Sequence, residues 1–115
     1  IPEVLDIALM KEAATYFIGD HDFSSFTSRK SKTKSNSRTI TRLEIVQDGN
    51  NLDIIFEADG FLYNMVRIIT GTLIEVGLGK KRPTDIKHIL SSQVRANAGY
   101  TVPAYGLFLD TVLFD

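Results

Sequence analysis

The sequence predicts an α+β domain, an antiparallel sheet with helices on one face. Two patterns predict this class: a β-hairpin in the middle of the chain, and apolar residues at helical spacing on both sides of it. The chain has 115 residues, which fits a single domain with one hydrophobic core. Hydrophobic residues make up 43% of it and charged residues 23%, ordinary globular usage that excludes a wholly disordered chain.

Three segments have the apolar spacing of helices. The first spans residues 2–18 and ends before a glycine. The second spans residues 61–76, where Gly71 costs about 1 kcal/mol relative to alanine unless something packs closely against it. The third is a short helix after Pro83, for which the sequence predicts Thr84 as the N-cap.

Alternating apolar residues predict the strands. The hairpin strands fall around residues 42–45 and 52–58, with a tight-turn signal at 48–51. A last strand is predicted at 107–114, whereas residues 21–26 indicate a turn leading into an extended stretch. Three strands are few for a free-standing sheet, so we expect one edge to be covered, most simply by a missing half of the fold.

The composition excludes several classes of protein. With no cysteine there is no disulfide scaffold, zinc finger, iron–sulfur cluster or thiol nucleophile, and with only His21 and His88 a histidine-built metal site is not expected. No apolar run approaches the roughly 20 residues that span a bilayer, and no signal peptide opens the chain, which favours a cytoplasmic protein. The chain begins with Ile1 instead of methionine, which suggests a piece of a longer protein.

The net charge of −1 conceals a basic stretch from Arg29 to Arg42, which overlaps a region, residues 27–37, that contains no apolar side chain. No acidic residue interrupts the six cations, which are Arg29, Lys30, Lys32, Lys34, Arg38 and Arg42. Such a stretch is most often a solvated loop. The functional alternative is an arm that contacts nucleic-acid phosphates.

Arg67 is the most informative single residue, because it is the one charged side chain between residues 61 and 74. Tyr63 lies one helical turn before it on the same face. A buried, unpaired arginine is destabilising by several kcal/mol in order of magnitude, so Arg67 must either reach water or meet an anion or carbonyl groups. A snorkelling or structurally paired arginine is the commoner case, and orienting a reacting carboxylate or an RNA phosphate is the functional one.

Four motifs in order along the chain resemble those of the tRNA pseudouridine synthase A family. They cover essentially the whole chain and are GDHDFSSF at 19–26, RTI at 38–40, FLYNMVR with its following glycines at 61–79, and AGYTVPAYGLFL at 98–109. The resemblance implies that residues 1–115 form a single domain, the C-terminal half of a pseudouridine synthase catalytic fold. It also implies that the sheet continues into an N-terminal half that is absent here.

The resemblance further implies a reaction, the isomerisation of uridine to pseudouridine in the anticodon stem-loop of tRNA without cofactor or metal. The family's catalytic aspartate lies in a G-R-T-D-x-G-V-H motif, which this sequence lacks. We therefore expect this chain alone to be inactive and to supply one wall of the active site. The complete enzyme is expected to be a cytoplasmic homodimer.

Site residues follow from the matched positions. Arg67 aligns with the arginine that pairs with the catalytic aspartate, and Leu107 after Gly106 aligns with the apolar residue lining the uridine pocket. Tyr63 is assigned to substrate binding by the same match. The basic stretch is expected to contact tRNA phosphates through Arg29, Lys30, Lys32, Lys34 and Arg38. Tyr100 and Val102 depart from the small residues common at those positions.

Two other interpretations stay open. The chain could be a non-catalytic RNA-binding module of the same fold, which keeps the RNA face and lacks the chemistry. It could also be a purely structural domain in which Arg67 has an internal ion-pair partner. Glu75 is a poor candidate for that partner, because it lies two helical turns away and about 80° around the helix.

Overall fold

A three-stranded antiparallel sheet and three helices make up the part of the chain that the computed structural model describes, residues 5–28, 35–49 and 51–103. The elements, in chain order, are α1 (Ile7–Thr15), β1 (Gly19–Asp22), a 3-10 helix (Ser24–Phe26), β2 (Ser37–Asp48), β3 (Asn51–Ala58), α2 (Met65–Gly77), α3 (Asp85–Ser92) and a second 3-10 helix (Arg95–Asn97). The predicted α+β class is confirmed. None of the helices in these ranges is long and apolar enough to cross a membrane.

Strand β2 is the central strand of the sheet, in the order β1-β2-β3. Its first residues pair with β1, where Gly19 lies opposite Ile40, and it pairs with β3 up to the hairpin turn, where Asp48 lies opposite Asn51. The register shifts at Thr41, which forms a β-bulge. The predicted hairpin is therefore confirmed, with a longer first strand than the alternation indicates.

The two faces of the hairpin differ in chemistry. Leu43, Ile45 and Phe56 are buried on the face that packs against the helices. On the opposite face Arg42 donates to Glu44 at 2.5 Å and to Glu57 at 3.0 Å. These contacts raise the pKa of Arg42, and the hydrogen bond from Arg42 lowers the pKa of Glu44. Helices cover one face, and a charged, solvated network occupies the other.

An aromatic cluster joins the 3-10 helix to the core. The ring centroid of Phe26 lies 5.2 Å from that of Phe17 and 6.3 Å from that of Phe23, in edge-on geometry. The hydroxyl of Ser25 donates to the carbonyl of Ile89 in α3 at 2.6 Å. This segment therefore has a structural role, tying β1 and α3 to the core.

Residues 98–103 lie against α2 at very short range. A Cβ added at Gly71 would lie 1.9 Å from the carbonyl oxygen of Tyr100, and one added at Gly99 would lie 2.7 Å from the Cα of Thr72. The Gly99 N–H donates to the Thr72 hydroxyl at 2.8 Å. This close approach explains the glycine in the middle of α2, because a side chain at position 71 would collide with the carbonyl of Tyr100.

Several predicted boundaries are wrong. Helix α1 does not begin at residue 2, because the Asp6 carboxylate accepts the Leu9 N–H at 3.1 Å and caps a helix that starts at Ile7. Helix α2 begins at Met65, four residues after the predicted start. Residues 21–26, predicted as a turn, contain the end of β1 and the first 3-10 helix. The predicted last strand at 107–114 lies outside the described residues.

The predicted N-cap position of α3, Thr84, is confirmed, but its side chain does not cap the helix. Thr84 has helical dihedral angles and its side chain makes no capping hydrogen bond. Instead the Asp85 carboxylate accepts the Arg82 N–H at 2.8 Å, one of the N-terminal amides that a helix leaves unpaired. This hydrogen bond lowers the pKa of Asp85 from its ordinary value of 3.8.

Replacing Asp85 by alanine is expected to lower the free energy of unfolding by about 1 kcal/mol, as for other lost caps. Because the pKa of Asp85 is lowered in the folded state, its contribution is present above pH 3.8 and is lost as the pH falls through the lowered folded value. Urea denaturation of wild type and Asp85→Ala, at neutral pH and well below pH 3.8, measures the loss of stability and its dependence on pH. Thr84→Ala is the control, and an equal loss in that variant would show that the Thr84 side chain caps the helix.

Gly71→Ala is expected to destabilise the protein by about 2 kcal/mol or more, because the new Cβ meets a backbone carbonyl that cannot rotate away. Gly77→Ala is the matched control in the same helix. Its Cβ would lie 2.7 Å from the Sδ of Met10, at the flexible end of a side chain. Thermal denaturation should show the larger loss at Gly71, and equal losses would contradict the close approach of Tyr100.

Candidate functional site

The candidate site is centred on Arg67 in the first turn of α2. Its Nε donates to the carbonyl of Val102 at 2.6 Å and its Nη1 donates to Oδ1 of Asn64 at 3.0 Å. The backbone N–H of Val102 in turn donates to the carbonyl of Arg67 at 3.2 Å. Two hydrogen bonds therefore orient the guanidinium, and a third fixes the backbone beneath it.

The charge of Arg67 is oriented but not neutralised. Its two acceptors are an amide and a peptide carbonyl, and in the described ranges Arg67 forms no ion pair. Nη2 makes no hydrogen bond to these residues. The positive end of the α2 dipole adds to the same field. The arrangement can bind a carboxylate or a phosphate.

Glu75 is engaged elsewhere, which disfavours the internal ion pair considered for Arg67. One of its oxygens, Oε1, lies 2.5 Å from Nζ of Lys81, and the other, Oε2, accepts the Tyr100 N–H at 3.2 Å. Glu75 thus helps to hold residues 98–103 against α2. The poor geometry expected for a pair with Arg67 agrees with this placement.

A chain of hydrogen bonds connects Arg67 to the start of the basic stretch. The Asn64 side chain that accepts from Arg67 also donates, through Nδ2, to the Ser28 hydroxyl at 3.0 Å. The neighbouring Thr27 hydroxyl donates to the carbonyl of Tyr63 at 3.0 Å. Ser28 is the last described residue before Arg29, the first cation of the basic stretch in the sequence.

The structure brings together only some of the predicted site residues. Tyr63 is 50% exposed and lies before helix α2, separated from Met65 by the N-cap Asn64, so the predicted spacing of one helical turn from Arg67 is wrong. Arg38 is 8% exposed, and its Nη1 donates to the carbonyls of Ser35 and Ser37 at 3.1 and 2.7 Å, so it does not have the open position that a phosphate contact needs. The remaining predicted residues lie outside the described ranges: Arg29, Lys30, Lys32, Lys34, Gly106 and Leu107.

Sequence reasoning missed the partners of Arg67. Asn64 has a φ of 61°, a conformation that asparagine adopts more readily than most residues, but no local pattern identifies it as an acceptor. Val102 contributes its backbone, so its side chain carries no signal. Arg95 was missed as well: it donates to the carbonyl of Gly99 at 2.8 Å and to the hydroxyl of Thr101 at 3.2 Å.

His21 and Asp22, two adjacent polar residues at the end of β1, have structural roles. The Asp22 carboxylate accepts from the backbone and hydroxyl of Ser24, and a ring nitrogen of His21 lies 2.9 Å from the carbonyl of Ile18. Both residues serve local turns, as expected for adjacent residues in such a segment. Across residues 5–28, 35–49 and 51–103, no three His, Cys, Asp or Glu side chains are grouped as metal ligands.

Comparison with known proteins agrees with the family resemblance and with the fold. The family model described as tRNA pseudouridine synthase matches residues 13–115. The chain is 52% identical over 110 residues to tRNA pseudouridine synthase A of Clostridium acetobutylicum, a match that covers 96% of this chain and 45% of that protein.

Other relatives match equally well along the whole chain. Identity is 46% over 114 residues to tRNA pseudouridine synthase A 2 of Clostridium perfringens, covering 99% of this chain and 47% of the relative. It is 44% over 115 residues to tRNA pseudouridine synthase A of Staphylococcus aureus strain Newman, covering 100% and 43%. The chain spans less than half the length of these curated relatives. It belongs to the tRNA pseudouridine synthase family.

Proposed function

We propose that this chain is the C-terminal half of a tRNA pseudouridine synthase and forms one wall of its active site. The reaction is the isomerisation of a uridine in the anticodon stem-loop: the N1–C1′ bond breaks, a C5–C1′ bond forms, and no atom is gained or lost. The catalytic aspartate comes from an N-terminal half outside this chain. The complete enzyme acts as a cytoplasmic homodimer, without cofactor or metal.

The observation that carries this proposal is the orientation of Arg67. Its Nε and Nη1 are committed to neutral acceptors, whereas Nη2 makes no hydrogen bond to the described residues and none of their carboxylates forms an ion pair with Arg67. A half-buried cation with one free donor edge suits a carboxylate supplied by another part of the protein. The aspartate expected from the family resemblance fits this requirement.

The tRNA backbone is proposed to contact the basic stretch that begins next to this site. Ser28, hydrogen-bonded to Asn64, leads directly into Arg29, Lys30, Lys32 and Lys34. Arg38 is left out of this set because it is buried. Lysine and arginine contacts to phosphates hold an RNA in place without identifying its sequence. The uridine pocket is proposed to include Tyr63, Gly106 and Leu107.

Arg67→Ala in the complete enzyme is expected to reduce pseudouridine formation on unmodified tRNA at least 100-fold, roughly the loss seen when an electrostatic partner is removed from an active site. Arg67→Lys is expected to retain little of the pseudouridine formation, because an ammonium group cannot reproduce the two oriented hydrogen bonds of the guanidinium. Arg82→Ala is the matched control, because its side chain is 83% exposed at the start of α3. This chain without its N-terminal half provides the inactive reference.

Thermal denaturation of the same variants separates a lost partner from a lost fold. Full turnover by Arg67→Ala would refute the role of Arg67. A complete enzyme that binds tRNA but forms no pseudouridine would favour the non-catalytic RNA-binding module.

Replacing Lys30, Lys32 and Lys34 together by alanine is expected to weaken tRNA binding and to reduce the slope of log K against log salt concentration by up to about 3, if each lysine neutralises one phosphate. The control replaces three exposed lysines on other elements, Lys11, Lys80 and Lys87, which removes the same total charge. Binding is measured by filter retention over a range of salt concentrations. An unchanged salt slope in the variant that lacks Lys30, Lys32 and Lys34 would indicate that these lysines do not contact phosphates and that the stretch is a solvated loop.

A further inference from the structure

We propose that Tyr100 is a stacking platform for an unpaired base of the RNA, adjacent to the reacting uridine. This inference rests on the proposed function, which it extends to a residue that departs from the family pattern. Tyr100 is 47% exposed. In the described part of the chain its hydroxyl makes no hydrogen bond and its ring contacts no other aromatic ring. One edge of the ring lies near Gly71 of α2, where Cδ1 would be 3.4 Å from an added Cβ, while about half of the residue stays exposed.

The backbone that carries this ring is held on several sides. The Tyr100 N–H donates to Oε2 of Glu75, and the preceding Gly99 N–H donates to the hydroxyl of Thr72. On the other side of Tyr100, the Val102 N–H donates to the carbonyl of Arg67. An exposed aromatic ring on a fixed backbone loses little conformational entropy when a base stacks on it, which favours binding.

Two arginines contact this part of the chain. Arg67 and Arg95 both donate to carbonyls of residues 99–102, and the described carboxylate that bonds the segment, that of Glu75, is paired with Lys81. An aromatic face among basic side chains is the combination that binds single-stranded nucleic acid, through base stacking and phosphate attraction. It is poorly suited to an apolar protein partner, which would have to desolvate the two arginines.

The position of Tyr100 along α2 indicates which base it would meet. Its carbonyl lies over Gly71, one helical turn after Arg67 and so about 6 Å along the helix axis. Arg67 is assigned to the reacting centre, so Tyr100 lies beside that centre instead of within it. Its partner is therefore a base neighbouring the reacting uridine, left unstacked when that uridine is extruded.

The test compares Tyr100→Phe, Tyr100→Leu and wild type in the complete enzyme. Tyr100→Leu keeps an apolar side chain but removes the aromatic face, so it is expected to weaken tRNA binding about tenfold and to raise KM much more than it lowers kcat. The salt slope of binding should not change, because no charge is removed. Tyr100→Phe should bind tRNA like wild type, because stacking does not need the hydroxyl.

Two results would overturn the proposal: wild-type affinity in Tyr100→Leu, or an equal loss of affinity in Tyr100→Phe, which would indicate a hydrogen bond from the hydroxyl. If wild type neither binds nor modifies tRNA, the proposed function itself fails. That outcome is distinct from an active enzyme indifferent to residue 100.

A second measurement does not depend on any variant folding. Wild-type enzyme is irradiated with tRNA that contains 5-iodouridine in place of uridine, and crosslinked peptides are identified by mass spectrometry. A crosslink at Tyr100 is expected, because the photoreaction favours aromatic side chains stacked on the base. Crosslinks confined to other residues would contradict stacking at this position.

Discussion

The structure around the candidate site depends on the contact between Arg67 and Val102. The side chain and the carbonyl of Arg67 both bond the backbone of Val102, 35 residues later in the chain. This brings residues 98–103 down onto α2, at a distance that permits no side chain at Gly71 or Gly99. One packing unit therefore joins residues that are far apart in sequence, namely Arg67, Gly71, Gly99 and the backbone of Val102. Altering any of them disturbs the orientation of the guanidinium.

That orientation has an electrostatic consequence. Carbonyl and amide oxygens accept from two donors of Arg67 but leave its charge in place, beside the backbone of Val102. A partly buried charge gains more from a carboxylate than the same charge in water would, because the local dielectric is lower. Glu75, the acid on the same helix, is paired with Lys81, and none of the described carboxylates forms an ion pair with Arg67. These contacts are compatible with the proposal that the counter-charge comes from another part of the enzyme.

How much of this could be predicted from the sequence depends on the range of the interactions. The hairpin and the core of α2 are visible in local periodicity, and Arg67 stands out because its neighbours are apolar. Strand β1 is not visible, because its four residues are mostly polar and their strand conformation comes from pairing with Ser37–Ile40 of β2. Residue preference predicts the position of the α3 N-cap, Thr84, but not that the capping hydrogen bond comes from the carboxylate of Asp85. Val102 leaves no trace in sequence, because it acts through its backbone.

The site combines two kinds of contact that the fold keeps apart. Ser28 ties the start of the basic stretch to Asn64, at one end of α2, and Tyr100 lies over Gly71, one turn beyond Arg67. In the proposed function, lysine and arginine contacts to phosphates contribute affinity that falls as salt rises, whereas stacking on Tyr100 contributes orientation that salt hardly affects. Because Asn64, Arg67 and Gly71 all belong to one helix and its N-cap, a displacement of α2 would move the groups proposed for these contacts together. The proposal therefore makes α2 the element that would relate attraction for the tRNA backbone to the position of one nucleotide.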